Sequence, residues 1–279
     1  MIDMGKVKKD SLGDRMKKYE AVSKSTLVSR MPVVLRLDGC HFHTVTRGFV
    51  KPFDPVMIKT MQDTMKYLCE HIQGCVFGYT QSDEITLVLV DYQKINSSAW
   101  FDNEVQKMCS VAASMATYAF NSYFTANRVI CANEVVELVK DNDKVVKAFN
   151  AYQRVSENGA YFDCRAFNVP ESDLVNCVLW RQQDATRNSI QALAQYHFSP
   201  KEMFKLSCDK LQDKLFLEKG VNWNDLDVVK KRGTACIKQK IGFTNQHGEQ
   251  TVRSQWVLDY KMPILTQDRD YVEKLITFN

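Results

Sequence analysis

A chain of 279 residues, 45% hydrophobic and 25% charged, can bury a full core without disulfide or metal staples, and its composition excludes an intrinsically disordered or fibrous polypeptide. The formal net charge of +4 does not by itself select a partner; basic residues gather at positions 6–9, 15–18 and 230–240, where they can track phosphates or simply solvate a surface. The nine cysteines are scattered without a C-x-x-C pair, the N-terminus lacks the apolar core of a signal peptide, and no uncharged apolar run approaches the roughly 18 residues of a membrane span, so a reducing cytoplasm and no membrane are expected.

Residues 32–37 form a short apolar run closed by Asp38-Gly39, the pattern of a buried strand ending at a tight turn. From Asp54 the spacing of Met57, Met61, Met65, Leu68 and Ile72 predicts a helix with an apolar stripe, and Gly74 is its stop signal. Methionines in such a stripe usually fill core gaps rather than bind ligands. Residues 76–79 and 85–90 read as two strands joined by a hairpin whose tip carries Asp83 and Glu84. A second helix is expected from about Asp102 to Tyr123, with Val105, Met108, Ala112, Met115, Ala119 and Tyr123 at helical spacing.

Residues 129–159 are charged and helical in pattern, and read as an insertion before a strand near residues 161–169. A helix is predicted to run on from 180–184 to about Gln195, and Ser199-Pro200-Lys201-Glu202 is a capping box with proline at the first helical position. Alternation over residues 251–260 predicts a terminal hairpin or sheet extension. The order strand, helix, strand, strand, helix, strand is that of the split βαβ, ferredoxin-like α+β arrangement, an antiparallel sheet with helices on one face. That topology can bring Asp38 and Asp83, 83 − 38 = 45 positions apart, to one edge of the sheet.

Aspartates at strand ends suit Mg²⁺, which takes hard oxygen ligands and keeps waters that substrate phosphates can replace. Two such ions about 4 Å apart activate an attacking hydroxyl and stabilise a leaving pyrophosphate. Asp38 and Asp83 are the candidate bridging ligands, with the Gly39 carbonyl and Glu84 in support. Taken as dipeptides, Asp38-Gly39 and Asp83-Glu84 are equally an ordinary turn and a polar hairpin tip.

Longer segments carry more. Arg36-Leu37-Asp38-Gly39-Cys40-His41-Phe42-His43, Lys51-Pro52-Phe53-Asp54 and Tyr79-Thr80-Gln81-Ser82-Asp83-Glu84 closely resemble three successive motifs of the tRNA(His) guanylyltransferase family, R-[IL]-D-G-x-x-F, K-P-x-D and Y-x-Q-S-D-E. Tyr161-Phe162-Asp163-Cys164-Arg165, Trp180-Arg181-Gln182-Gln183-Asp184 and Lys231-Arg232-Gly233-Thr234 are similar to its F-D-x-R, W-R-Q-x-D and basic-Gly-Thr segments. The opening residues 10–17 also resemble the family's start.

The resemblance implies a polymerase-palm catalytic domain over residues 1–180 and a C-terminal helical and β extension over 181–279 that contributes to nucleotide and RNA binding. It implies a nucleotidyltransferase that activates a 5′-monophosphorylated RNA with ATP or GTP. The 3′-hydroxyl of an incoming nucleotide then attacks the activated end, so the RNA grows in the 3′-to-5′ direction. Carried over by position, Asp38, Gly39 and Asp83 match the ligands of two Mg²⁺ ions, and Glu84 the adjoining acid. Lys51 and Ser82 match triphosphate contacts, residues Gly39, Cys40, His41, Phe42 and His43 lie against the incoming nucleotide, and Asn222 resembles an asparagine near the triphosphate. Arg187, Asn188, Lys231 and Arg232 are candidate RNA contacts.

One departure is informative. Eukaryotic enzymes that add the guanosine of tRNA(His) carry His-Ile-Asn-[Asn/Thr] after W-R-Q-x-D, whereas Ala185-Thr186-Arg187-Asn188 stands here. The chain is thus more similar to the bacterial and archaeal guanylyltransferase-like branch, associated with template-dependent repair of 5′-truncated tRNA. A homotetramer is expected by the same resemblance. The alternatives are addition of the tRNA(His) guanosine, a palm-fold nucleotide cyclase or signalling-nucleotide synthase, or a non-enzymatic RNA-binding module. Fold alone does not separate them; the absence of a G-G-[DE]-[DE]-F tip speaks against the cyclase class, and paired acids speak against the binding module.

Overall fold

In chain order the protein forms α1 (Leu12–Ala21), β1 (Val33–Gly39), α2 (Phe42–Val45), α3 (Pro55–His71), β2 (Cys75–Gln81), β3 (Glu84–Leu89), α4 (Val105–Ile130), α5 (Ala132–Val139), α6 (Asn142–Asn158), β4 (Phe162–Asn168), α7 (Glu171–His197), α8 (Pro200–Met203), α9 (Cys208–Lys219), α10 (Val228–Arg232), β5 (Thr234–Thr244), β6 (Gln250–Asp259) and α11 (Asp270–Ile276). This computed structural model describes residues 11–244 and 250–277. The basic run at 6–9 and Asp10 lie outside the described residues.

One sheet runs in the order β4-β1-β3-β2-β5-β6, with every neighbouring pair antiparallel. Its first four strands have the ferredoxin-like order, and the hairpin expected near residues 251–260 extends the sheet on the β2 side. Among the described residues no helix is long and apolar enough to cross a membrane.

Alternation along the strands divides the core in two. Val33, Leu35 and Leu37 of β1, with Ile85, Leu87 and Leu89 of β3, face α3 and α4. Helix α3 starts where Asp54 caps the Met57 amide and Pro55 takes the first turn, as expected of Pro at that position, and its stripe of Met57, Met61, Met65 and Leu68 is buried. Helix α4 is longer than expected and begins later, after a 3₁₀ turn over Trp100–Asn103. Its buried ridge is Met108, Ala112, Ala116, Phe120 and Phe124, stepping by four residues. Val105, Met115 and Tyr123 of the expected stripe are left half-exposed on its flank.

The segment read as an insertion is part of this core. Helix α6 buries Val145, Ala148, Ala151, Tyr152 and Val155 in the same cluster as α3 and α4. The opposite face of the sheet is covered too. Val34, Phe77 and Val88 pack beneath Leu174, Val175 and Val178 of α7, and beneath Tyr271, Val272 and Ile276 of α11. A register shift between Cys75 and Phe77 turns Val76 and Phe77 together toward that face, the local effect of a β-bulge. The far half of α7 forms a smaller cluster with Leu211 and Leu215 of α9 and with Trp223.

Candidate active site

Strand β1 lies between β3 and β4, so Asp38 pairs with Glu84 on one side and with Asp163 on the other. Residues directly opposite in an antiparallel pair project from the same face. Asp38, Glu84 and Asp163 therefore share the α7-facing side of one sheet end. Asp83 sits beside them in the tight turn of the β2–β3 hairpin, where Ser82 adopts a left-handed conformation with φ 51°. The Gly39 amide donates to the Asp83 carbonyl at 3.1 Å, which fastens the hairpin tip to the end of β1.

Asp83, Asp38 and Glu84 have different surroundings. Burial pushes the Asp83 carboxyl above its ordinary range; a 3.0 Å hydrogen bond from Ser82 Oγ opposes the shift, and the charge of Asp38 adds to it. The Asp38 carboxylate forms no hydrogen bond or ion pair among the described residues. Glu84 is also raised by burial, opposed by Arg181 and Arg36. Arg181 Nε donates to Glu84 Oε1 at 2.6 Å, and its Nη2 donates to Asp184 Oδ2 at 2.8 Å. Glu84 is thus committed to a buried ion pair that ties the sheet end to α7, while Asp38 and Asp83 form no ion pair among the described residues. No group of three or more His, Cys, Asp or Glu residues that could hold a metal ion exists among the described residues.

The turn after Asp38 is shaped by one ring. Phe42 is buried edge-on between Phe120 and Phe162, with centroids 5.4 and 5.2 Å away, and a Cβ on Gly39 would overlap its ring. His41 takes a left-handed conformation, φ 56°, to start the single turn of α2. The Cys40 amide donates to the Tyr161 carbonyl at 2.9 Å. Burial, then Asp163 and Asp38, raise the Cys40 thiol, so it stays protonated beside the acids.

A cavity of about 440 Å³ opens next to the hairpin tip. Of the residues singled out in the sequence, Phe42, His43, Lys51, Ser82, Asp83, Asn188 and Lys231 line it. Lys230 joins them from α10, its Nζ 2.9 Å from Asp227 Oδ2. The loop carrying Lys51 is held by Asp54. Its Oδ2 accepts from the Val50 amide at 2.8 Å and from the Tyr152 hydroxyl at 2.6 Å, and its Oδ1 accepts from the Met57 amide at 2.9 Å. Burial raises the Asp54 carboxyl, and the hydrogen bonds, Tyr152 foremost, oppose that shift.

Other named residues are not brought to the cavity wall. Asp38, Gly39, Cys40 and His41 occupy the adjoining strand end. Asn222 caps the 3₁₀ turn Trp223–Asp225, accepting from the Asn224 amide and donating to Asp225, each at 3.1 Å. Arg187 is exposed and paired with Asp184. The Arg232 carbonyl accepts from Tyr79 Oη at 2.5 Å. The sequence motifs assign no role to Asp163, Arg181 or Tyr152. The first two lie inside motif-like segments, which was the available signal; Tyr152 had none.

A ferredoxin-like sheet that presents two aspartates at one end, beside a lysine-bearing cavity, is the framework of a palm-type nucleotidyltransferase. Residues 13–170 match the family described as tRNAHis guanylyltransferase. The solved structure of a bacterial tRNA(His) guanylyltransferase-like protein in complex with ATP is 40% identical, covers 96% of this chain and all of its own, and has a TM-score of 0.78. A second, in complex with GTP, is 38% identical with the same coverage and a TM-score of 0.74. The tRNA(His) guanylyltransferase 2 of Arabidopsis thaliana is 26% identical over 266 residues, which are 88% of this chain and 42% of that protein. This chain thus spans less than half of the plant protein's length. It belongs to the tRNA(His) guanylyltransferase family.

Proposed function

We propose that this protein adds nucleotides to the 5′ end of tRNA, working in the 3′-to-5′ direction to repair truncated ends after activating the 5′ phosphate with ATP or GTP. The observation that carries the reading is the meeting of Asp38 and Asp83 at one sheet end, fastened by the Gly39 amide, next to a cavity whose cations are Lys51, Lys230 and Lys231. The ATP and GTP complexes of the two bacterial relatives support a nucleoside triphosphate as its occupant.

Magnesium fits the donor set. Burial and Asp38 both disfavour the charged form of Asp83, and Asp38 has no cationic partner among the described residues. Their oxygens and the Gly39 carbonyl are hard donors that leave positions free for water and phosphate. Two bound ions would supply activation of the attacking hydroxyl and stabilisation of the leaving pyrophosphate. The chain's own residues then align the substrates. Lys51, Lys230 and Lys231 neutralise phosphate charge, and Ser82 offers a hydroxyl donor. Phe42 fixes the backbone of residues 39–43 against the nucleotide. Such transfers depend mainly on alignment and charge neutralisation.

Residues 181–279 supply the far wall through Asn188, Lys230 and Lys231, in keeping with a catalytic unit over 1–180 and an extension that completes it. A cytoplasmic homotetramer is the proposed form. Ala185-Thr186-Arg187-Asn188 supports repair, with base pairing as the source of selectivity and the protein holding backbone phosphates. The experiment offers truncated tRNAs whose opposing base is changed through A, C, G and U, with all four triphosphates and magnesium, and sequences the products. Watson–Crick additions at the 5′ end are expected. Guanosine regardless of the opposing base defeats the repair reading, and growth only at the 3′ end defeats the reaction.

A further inference from the structure

Behind the Lys51 loop lies a second cavity, of about 620 Å³. It shares residues 49–52 and Ala192 with the first, so Lys51 stands in the wall between them. Three lysines line it, Lys51, Lys144 and Lys147, and no carboxylate lines it among the described residues. Lys51 and Lys147 have no hydrogen-bond or ion-pair partner among the described residues. Lys144 lies 3.5 Å from Asp141, with both side chains largely in solvent, where such a pair is worth little.

Lys144 and Lys147 stand one turn apart on α6, and the lining between them and the loop is apolar: Phe49, Leu138, Val139 and Ala148. Gln195 and the exposed ring of Tyr196, near the end of α7, complete the rim. The volume is within the ordinary range of ligand pockets, and an apolar lining with a few polar groups is their usual make-up. Cations without acids concentrate anions at the rim. A nucleotide presents such an anion together with a flat base whose face can stack on an aromatic ring. Lysine takes its phosphate as a point charge, and an aromatic ring stacks on any base.

We propose that this second cavity binds a nucleotide through its phosphate, beside the reaction cavity, with Lys144 and Lys147 as the phosphate contacts and Tyr196 as the stacking surface. The inference rests on the proposed function in taking nucleotides as the substrates. The nucleotide can come from the end of an RNA strand or from a second free triphosphate, and the two sources are separable.

The test measures equilibrium binding to the full chain of a short 5′-monophosphorylated single-stranded RNA, over a range of salt, and of a non-hydrolysable ATP analogue. With Lys144→Ala/Lys147→Ala, an RNA source predicts roughly tenfold weaker RNA binding and a salt slope shallower by about 1.4, two phosphates at about 0.7 each, while the analogue binds as before. A free-triphosphate source predicts one fewer analogue bound per chain, with RNA binding unchanged. Tyr196→Phe keeps wild-type binding of whichever ligand responds, and Tyr196→Ala weakens it. Unchanged affinity, slope and stoichiometry for both ligands in the double lysine variant overturns the site; wild-type binding by Tyr196→Ala overturns the stacking role. Because every readout is binding at equilibrium, failure of nucleotide addition with lysine-dependent binding intact counts against the proposed function and not against this cavity.

Discussion

Replacing Tyr152 by phenylalanine removes a single oxygen from the core. That hydroxyl donates to Asp54 Oδ2 at 2.6 Å, and Tyr152 and Asp54 are both buried. Asp54 keeps the amides of Val50 and Met57 but loses its shortest donor. A hydrogen bond to a charged group contributes about 1.5–3 kcal/mol. With about 2 kcal/mol lost, and roughly 2–4 °C per kcal/mol for a protein somewhat smaller than this one, the melting temperature should fall by about 4–8 °C.

The loss should also depend on pH. Burial holds the Asp54 carboxyl above its unfolded value. Its contribution to stability is therefore present below the unfolded pKa and is lost as pH rises through the folded one. The Tyr152 hydroxyl offsets part of that loss only while the carboxylate is charged. The cost of Tyr152→Phe is then greatest near neutral pH and shrinks toward a neutral bond's value of about 1 kcal/mol as acid protonates Asp54. Thermal melts followed by circular dichroism, in steps downward from about pH 7.5, measure both effects. A loss within the error of the melt at neutral pH, or the same loss at every pH, would refute the reasoning.

Arg181→Met should cost about 3–5 kcal/mol in chemical denaturation, because it strands Glu84 without its buried partner, and adding Glu84→Gln should recover part of that; a neutral single variant would deny the pair its structural role. In Gly39→Ala the new methyl meets the Phe42 ring, an overpacking worth about 1–3 kcal/mol. Its affinity for nucleotide should fall as residues 39–43 shift, and wild-type stability and nucleotide titration together would contradict the packing argument. Asp38→Ala and Asp83→Asn should end nucleotide addition. The folded Asp83 carboxyl is raised, so its charge costs stability at neutral pH, and Asp83→Asn should melt no lower than wild type; normal turnover by either variant in magnesium rejects both aspartates as ligands.

Much of the sheet is legible in the sequence because each strand is a short apolar run with a clear stop: Asp38-Gly39 ends β1, and the acids of the hairpin tip separate β2 from β3. The ferredoxin-like order follows from the succession of elements, and with it the meeting of Asp38 and Asp83. Asp163 is different. Its place opposite Asp38 is a matter of β1–β4 register, which a motif-like segment does not reveal. Arg181 reaches Glu84 across 97 positions, and Tyr152 reaches Asp54 across 98. Contacts of that range depend on how α6 and α7 dock on the sheet, and helical periodicity records only which face is apolar. The same limit explains α4, where a stripe anchored on Val105 gave the right helix and a buried face turned by part of a turn.

The double cover of the sheet has a consequence for the order of assembly. Phe77 of β2 meets the ring of Tyr271, with centroids 6.4 Å apart, and the Tyr271 hydroxyl donates to Asp259 at 2.7 Å. During synthesis the first three strands leave the ribosome well before α11 does. Most of the α3 side can close from neighbouring helices, whereas on the α7 side the contact of Phe77 waits for a helix near the other end of the chain. Pairings of such range are slow to form, and until this one does Phe77 lacks its Tyr271 cover and stays partly open to solvent or to a chaperone. Final closure of this enzyme's second core is thus a late event, governed by its last described helix.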